Sequence, residues 1–193
     1  MNKQDIFVAA KFVFRTANKL DAEEIAHLVN QAYRPEPDAA GWTHEADLVY
    51  GNRTSAGQVT EIISKPDSLM LVGLNESEIV ACVHIEKDGS SSHIGMFAVN
   101  PALQGTGAGK QMLAYAEERA NSVFGAQKFI MFVLSVRTEL IAFYLRRGYQ
   151  QTGLVMDYPL LADAGKPKQA DLKVEVLEKR TNLTNRPDAH TCL

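Results

Sequence analysis

The chain has 193 residues, 46% of them hydrophobic and 22% charged, with a formal net charge of −3. This length and composition suit one globular domain with a full core and exclude fibrous and intrinsically disordered chains. Twenty basic against 23 acidic residues leave no extended basic face for nucleic acid, and no run reaches the roughly 20 apolar residues of a spanning helix.

In chain order, residues 1–10 read as an N-terminal extension with no small-residue cleavage pattern. Residues 11–18, KFVFRTAN, predict a first strand. Asp21 then predicts the cap of a helix through AEEIAHLVNQAY, where Ile25, Leu28, Val29 and Ala32 fall at helical spacing. A loop with Pro35, Pro37 and Gly41 follows, and WTHEADLVYG and SAGQVTEIIS each predict a short helix. SLMLVGL and IVACVHIE are β-rich runs separated by the polar turn NESE, a hairpin signature. DGSS turns the chain into HIGMFAV, a third adjacent strand ending at Asn100-Pro101.

A glycine-rich turn leads into GKQMLAYAEERANSVF, a helix with Met112, Leu113, Ala116 and Ala120 as its apolar stripe. KFIMFVLS is a nearly continuous apolar run, the pattern of a strand buried on both faces. TELIAFYLRRG predicts a helix stopped by Gly148, LKVEVLEK alternates and closes the sheet, and residues 181–193 predict an unordered tail. The order β-α-(α)-β-β-β-α-β-α-β-β is an α/β (α+β) arrangement over residues 11–180, a mixed sheet with helices on both faces. Of the two cysteines, Cys82 lies in an apolar run and reads as a small buried hydrophobe, and Cys192 lies near the C-terminus. Neither belongs to a disulfide framework or a zinc spacing, and the expected compartment is the reducing cytoplasm.

The turn reads NPALQGTGAGKQML, with Gly105, Gly107 and Gly109 at alternate positions before Lys110. A P-loop needs a glycine five residues before Gly109, where Gln104 stands, and a Ser or Thr where Gln111 stands. A dinucleotide fingerprint starting at Gly105 would need its third glycine at Lys110, and the preceding strands form hairpins rather than an opening βα unit. What remains is Q/R-x-x-G-x-G/A, met by Gln104, Gly107 and Gly109 after a strand ending V-x-P. A strand-to-helix turn leaves amide N–H groups unpaired, and glycines let an anion approach them. A tight turn whose glycines serve only φ > 0 is the other reading of the same residues.

With this motif the sequence resembles the GNAT superfamily of acetyl-CoA-dependent N-acetyltransferases. A second motif follows in matching order: Tyr144, four residues before Gly148-Tyr149, within AFYLRRGY. The resemblance covers residues 11–180 and implies a sheet splayed between its fourth and fifth strands, where the turn begins. It implies that the main chain of Met96, Phe97, Ala98 and Val99 pairs with the pantetheine arm of coenzyme A. The turn itself, Gln104, Gly105, Thr106, Gly107, Ala108, Gly109 and Lys110, would hold the diphosphate. Tyr144 would protonate the departing thiolate or hydrogen-bond to the thioester sulfur. Arg137 replaces the asparagine many members carry seven residues before that tyrosine. It would cover a CoA phosphate, contact a substrate carboxylate, or cap its helix on the solvent side.

The general base is less defined. The strand positions where relatives place a glutamate hold Gly95 and His93, leaving His93 as the first candidate and His84, Glu86 and Glu45 behind it. Gly95 itself is expected at a bulge or a close backbone approach. Acceptor recognition is expected from Tyr33, Arg34, Trp42, Glu45 and Glu86, with Arg34 facing a substrate carboxylate and Asp157 and Tyr158 supplying a wall. The implied function is transfer of acetyl from acetyl-CoA directly to a primary amine of a small molecule, without metal or acyl-enzyme, by a cytoplasmic protein able to form a homodimer. A non-catalytic acyl-CoA-binding protein and a protein or peptide N-acetyltransferase are the alternatives.

Overall fold

The computed structural model describes residues 12–35, 44–160 and 164–181. The expected N-terminal extension, the tail beyond Thr181, Cys192 and Trp42 lie outside the described residues. Strand β1 (Val13–Thr16) leads into helix α1 (Ala22–Tyr33) through a short 3-10 turn. Here the expected role of Asp21 changes. Its carboxylate does not cap α1; it accepts from the Asn18 N–H at 2.7 Å and from Arg15 at 2.7 and 2.9 Å. Asn18 is the capping residue, and Asp21 completes the reciprocal box.

Of the segment WTHEADLVYG, expected as a helix, the described residues are instead a turn followed by β2 (Val49–Tyr50). That strand pairs with β8 (Lys166–Pro167), so a long-range partner overrides the helical spacing. Helix α2 (Ala56–Ser64) forms as expected, with Ser55 and Gln58 in a capping box. The hairpin of β3 (Ser68–Asn75) and β4 (Glu78–Asp88) and the following β5 (Ser91–Val99) are antiparallel neighbours. Helix α3 (Ala108–Phe124), strand β6 (Lys128–Leu134), helix α4 (Thr138–Leu145), β7 (Gln150–Asp157) and β9 (Lys173–Arg180) complete the chain.

The main sheet has the order β1-β3-β4-β5-β6-β9-β7. Only β5 and β6 run parallel. Helices α1 and α2 cover one face, burying Ile25, Leu28, Val29 and Val59 against Met70, Val72 and Cys82. Helices α3 and α4 cover the other, where Met112, Leu113, Ala116 and Ile141 pack on Leu71, Val83, Ile85 and Met131. Each fully buried aliphatic side chain of this kind contributes about 1.5–3 kcal/mol by leaving water. Strand β6 is less enclosed than its apolar run suggests, because Phe132 stays 50% exposed.

Two irregularities in β5 position everything that follows. Its pairing with β6 covers Ser91, Ser92 and His93 and ends there, so the strands part toward their C-terminal ends. In the opposite direction, Cys82 pairs with Ala98 and His84 with Gly95, which leaves one extra residue in β5. The bulge sits at Met96, whose φ is +45°, one residue beyond the glycine expected to mark it. The parted strands are the expected fourth and fifth ones, numbered fifth and sixth because β2 intervenes.

Candidate active site

Two clefts open where β5 and β6 part. The first, about 320 Å³, is lined by Phe97 and Val99 of β5, by Gln104, Gly105, Gly107, Gly109 and Lys110 of the turn, and by Leu140, Phe143, Tyr144, Arg146 and Arg147. The second, about 250 Å³, lies between Ile94–Phe97 of β5 and Met131–Leu134 of β6 and includes Glu45, Arg53, Tyr158 and Pro159. Tyr33, Phe97, Leu140 and Tyr144 belong to both walls. The splay therefore produces two chambers that share one partition.

The first chamber is built by the glycine turn. Asn100 accepts from the Ala102 N–H at 3.0 Å and holds a short 3-10 turn, and Gln104 Nε2 donates to the Val99 carbonyl at 3.2 Å, tying the loop to the strand end. Gly105 and Gly107 have φ of +84° and +95°, a region that costs a side-chain-bearing residue energy. Gly107 is the cap of α3, and among the described residues the N–H groups of Gly105, Gly107, Ala108, Gly109 and Lys110 meet no acceptor. Those amides lie at the positive end of a 17-residue helix. Lys110, Arg146 and Arg147 stand around the cleft, and none of its described lining residues is acidic. Arg147 is held by donation to the Phe143 carbonyl at 2.6 Å, with its guanidinium 3.3 Å from the Phe143 ring centroid. Unpaired amides, a helix terminus and three cations suit a ligand carrying several phosphates. Of the seven turn residues expected here, Thr106 and Ala108 do not reach the cleft: Thr106 donates its hydroxyl to Leu103 O and Ala108 is buried.

Gly109 matters for space. A Cβ there would stand 3.7 Å from Phe143 and Val99 and 3.8 Å from Phe97, in ordinary contact, within the wall of the cleft. Gly109→Val, which adds bulk to that wall, is therefore expected to bind coenzyme A at least about tenfold more weakly by calorimetry. Equal affinity in the two proteins would move the coenzyme out of this cleft.

Tyr144 is 5% exposed and its ring packs edge-on against Phe143 and Tyr149, with centroids 5.3 and 5.8 Å away. Among the described residues its hydroxyl makes no hydrogen bond. Burial raises its pKa well above the ordinary 10, so the phenol stays protonated through any working pH. Across the partition, the Tyr33 hydroxyl donates to the Phe97 carbonyl at 3.1 Å, and burial pushes Tyr33 up to about 12. Cys82 lies behind the bulge, its Sγ donating to Met96 O at 3.7 Å. Burial pushes this thiol up to about 12, which keeps it protonated and a poor nucleophile.

Several expected site residues take other places. Arg34 does not face the clefts as a free cation: it donates to Glu45 Oε2 at 2.9 Å and to the carbonyls of Tyr33, Gly51 and Ala164. Arg137 is 8% exposed and its Nη1 lies 3.6 Å from Glu45 Oε1, so it faces neither a phosphate nor solvent. Glu45 is thereby held between two guanidiniums. It is the sole carboxylate among the described residues lining either cleft.

The base candidates also move. His93 lies outside both clefts, stacked on Phe132 at 5.4 Å with its Nε2 3.0 Å from Asp88. His84 Nε2 sits 2.8 Å from Ser68 Oγ, and burial, the largest cause, lowers its pKa to about 4. Glu86 pairs with Lys65 at 3.5 Å and lines neither cleft. Of the expected backbone contacts, Phe97 and Val99 line the first cleft and Met96 the second, whereas Ala98 is buried toward α1. Tyr158 joins the second wall, but Asp157 points to Lys173. Leu140, Phe143, Arg146, Arg147 and Arg53 were not singled out from sequence. The RR pair between Tyr144 and Gly148 carried a signal; Arg53, alone in a polar loop, carried none.

Among the described residues, no helix is long and apolar enough to cross a membrane and no cluster could hold a metal ion. A family model described as Acetyltransferase (GNAT) family matches residues 23–149. No curated protein matches the sequence significantly. Among solved structures, the chain is similar to PaiA N-acetyltransferase from Thermoplasma acidophilum in complex with coenzyme A, at 15% identity and TM-score 0.67, covering 89% of this chain and 99% of that one. It is similar also to ribosomal-protein-alanine N-acetyltransferase from Brucella melitensis, at 17% identity and TM-score 0.65 over 88% and 99% of the two chains. An IAA acetyltransferase from Bacillus cereus gives 16% and 0.63 over 89% and 100%. At these identities the likeness is one of fold.

Proposed function

The chain belongs to the GNAT acetyltransferase family, and from that premise we propose that it moves an acetyl group from acetyl-CoA directly to a primary amine of a small molecule in a ternary complex. The observation that carries this reading is the shared partition: Tyr144 stands in the walls of both a phosphate-suited cleft and a separate, smaller one. Acetyl-CoA supplies the acetyl group activated as a thioester.

The chain's own residues divide the remaining tasks. The amides of Gly105 and of Gly107 to Lys110, with the side chains of Lys110, Arg146 and Arg147, hold the phosphates. The main chain of β5 beyond His93, without β6 as a partner, receives the pantetheine arm as an added strand. One of its N–H groups steadies the charge that develops on the acetyl oxygen. Tyr144, kept protonated by burial, gives a proton or a hydrogen bond to the sulfur as the bond to carbon breaks. The acceptor occupies the second cleft, and Cys82, held as a thiol, takes no part as an acyl carrier. We assign the cytoplasm as the compartment, in keeping with that free thiol.

Among the described residues no lining group is disposed as a strong base, since both oxygens of Glu45 face guanidiniums. The acceptor's ammonium therefore loses its proton to water. With a panel of small primary amines, thiol release from acetyl-CoA is expected to depend on the amine, and kcat/KM to rise with pH along that amine's own ionisation. The midpoint should move when the amine's pKa moves. Tyr144 adds no alkaline loss below about pH 10, because its folded pKa is raised, not lowered. An acidic limb fixed near neutrality for every amine would instead identify a base on the protein.

The same engagement of Glu45, and of His93 by Asp88, favours one second reading: a non-catalytic acyl-CoA-binding protein. Coenzyme binding with no thiol release on any amine or peptide would establish it. Release on peptides alone would make the acceptor a protein.

A further inference from the structure

We propose that Arg53 reads an anionic group on the acceptor, so that the second cleft takes a small primary amine that also carries a carboxylate or a comparable oxyanion. The inference rests on the acetyl-transfer reading for the amine end and on independent geometry for the anionic end. Arg53 lines the second cleft with its guanidinium 5.5 Å from the centroid of the Tyr33 ring, the ring that belongs to both chambers. Among the described residues that guanidinium makes no hydrogen bond and no ion pair. The one carboxylate among the described residues of the cleft does not serve it, because Arg34 and Arg137 already face the two oxygens of Glu45.

The position of Arg53 is held by the fold. Asn30 of α1 accepts from the N–H of Arg53 at 2.8 Å and of Thr54 at 3.2 Å, and its Nδ2 donates to the Thr54 carbonyl at 2.9 Å. One helix side chain thus clamps both residues of the loop and presents the arginine without relying on its head group. A half-buried guanidinium with five donors, fixed beside an aromatic wall, matches a planar oxyanion far better than a second cation. Apart from Arg53, Glu45 and the tyrosines, the described wall, including Ile94, Met96, Phe97, Phe132, Pro159 and Val174, is apolar. The ligand class is therefore an amine and an oxyanion joined by a short apolar body, within about 250 Å³. Polyamines are disfavoured by the same charge.

The test uses matched probes: leucine against isopentylamine, phenylalanine against phenethylamine, and spermidine. Each is assayed for thiol release and also titrated calorimetrically into the coenzyme A-loaded protein, so that binding is read without turnover. The carboxylated member of a pair is expected to be preferred by roughly 10- to 100-fold. Arg53→Gln should remove that preference while changing the plain amine by less than about threefold, Arg53→Lys should restore part of it, and coenzyme affinity should stay unchanged. A phosphonate analogue of leucine separates carboxylate from other oxyanions. Preference for the plain amines or spermidine, equal losses for both members of a pair in Arg53→Gln, or no binding of any carboxylated probe would overturn the proposal. Acceptor binding with the predicted Arg53 dependence but no thiol release would leave this inference standing while the acetyl-transfer reading fails.

Discussion

Replacing Tyr144 with phenylalanine is expected to lower kcat by about 10²- to 10⁴-fold while leaving coenzyme A affinity and Tm essentially unchanged. The ring's contacts with Phe143 and Tyr149 survive the substitution, and among the described residues no hydrogen bond is lost with the hydroxyl. What disappears is the phenol in the shared wall that is not already donating, since the other one, on Tyr33, is bound to the Phe97 carbonyl. Burial raises its pKa, so at neutral pH the wild-type phenol always carries the proton being withdrawn. Thiol release with a responsive amine measures the loss, and calorimetry controls for binding. Turnover within about threefold of wild type would remove Tyr144 from the chemistry.

The second large effect concerns stability. Glu45→Gln is expected to destabilise the fold by about 3 kcal/mol in urea denaturation, because it removes the carboxylate facing the Arg34 and Arg137 guanidiniums at 2.9 and 3.6 Å. All three side chains are about one-tenth exposed, so the charges left behind cannot recover their hydration without disturbing the loop that carries Glu45. The Glu45 N–H also donates to the Tyr33 carbonyl at 2.8 Å. The triad thus fixes the loop against the end of α1, from which the Tyr33 hydroxyl reaches the partition. A loss below about 1 kcal/mol would mean that the triad is no more than a surface pair in energy.

These two residues show what could and could not be read in advance. The placement of the glycine turn, Tyr144 and Gly148 is legible because it follows from spacing within one strand-turn-helix or one helix. So are the hairpin of β3 and β4, the stripe of α3 and the parting of the sheet, which the two motifs together imply. The roles of Arg34, Glu45 and Arg137 are not legible. They depend on a loop, the end of α1 and the start of α4 meeting in space, and an arginine near a cleft looks the same in sequence whether it awaits a ligand or is already paired. Arg34 loses its expected role for that reason, being consumed by Glu45 and three carbonyls, whereas Arg53, of which nothing was expected, is held by Asn30, which reads as an ordinary polar helix residue.

Backbone irregularity was only half visible. Gly95 suggested a bulge, but the left-handed residue is Met96, a conformation that side-chain identity does not announce. The helix expected from WTHEADLVYG fails because Val49 and Tyr50 find strand partners more than a hundred residues later, beyond the reach of any local window. His93 is displaced by the parallel register: paired with Ile130 and stacked on Phe132, it lies where β5 and β6 are still joined, before the opening that makes the site.

The central claim is that the amides after Asn100-Pro101 and the cations around them hold coenzyme A with its thioester end toward Tyr144. Isothermal titration of acetyl-CoA into the purified protein tests it most directly. One equivalent is expected to bind with a dissociation constant of micromolar order, weakened by added salt because the contacts are to phosphates. No measurable heat across the titration, or binding as tight in Gly109→Val as in the wild type, would contradict it.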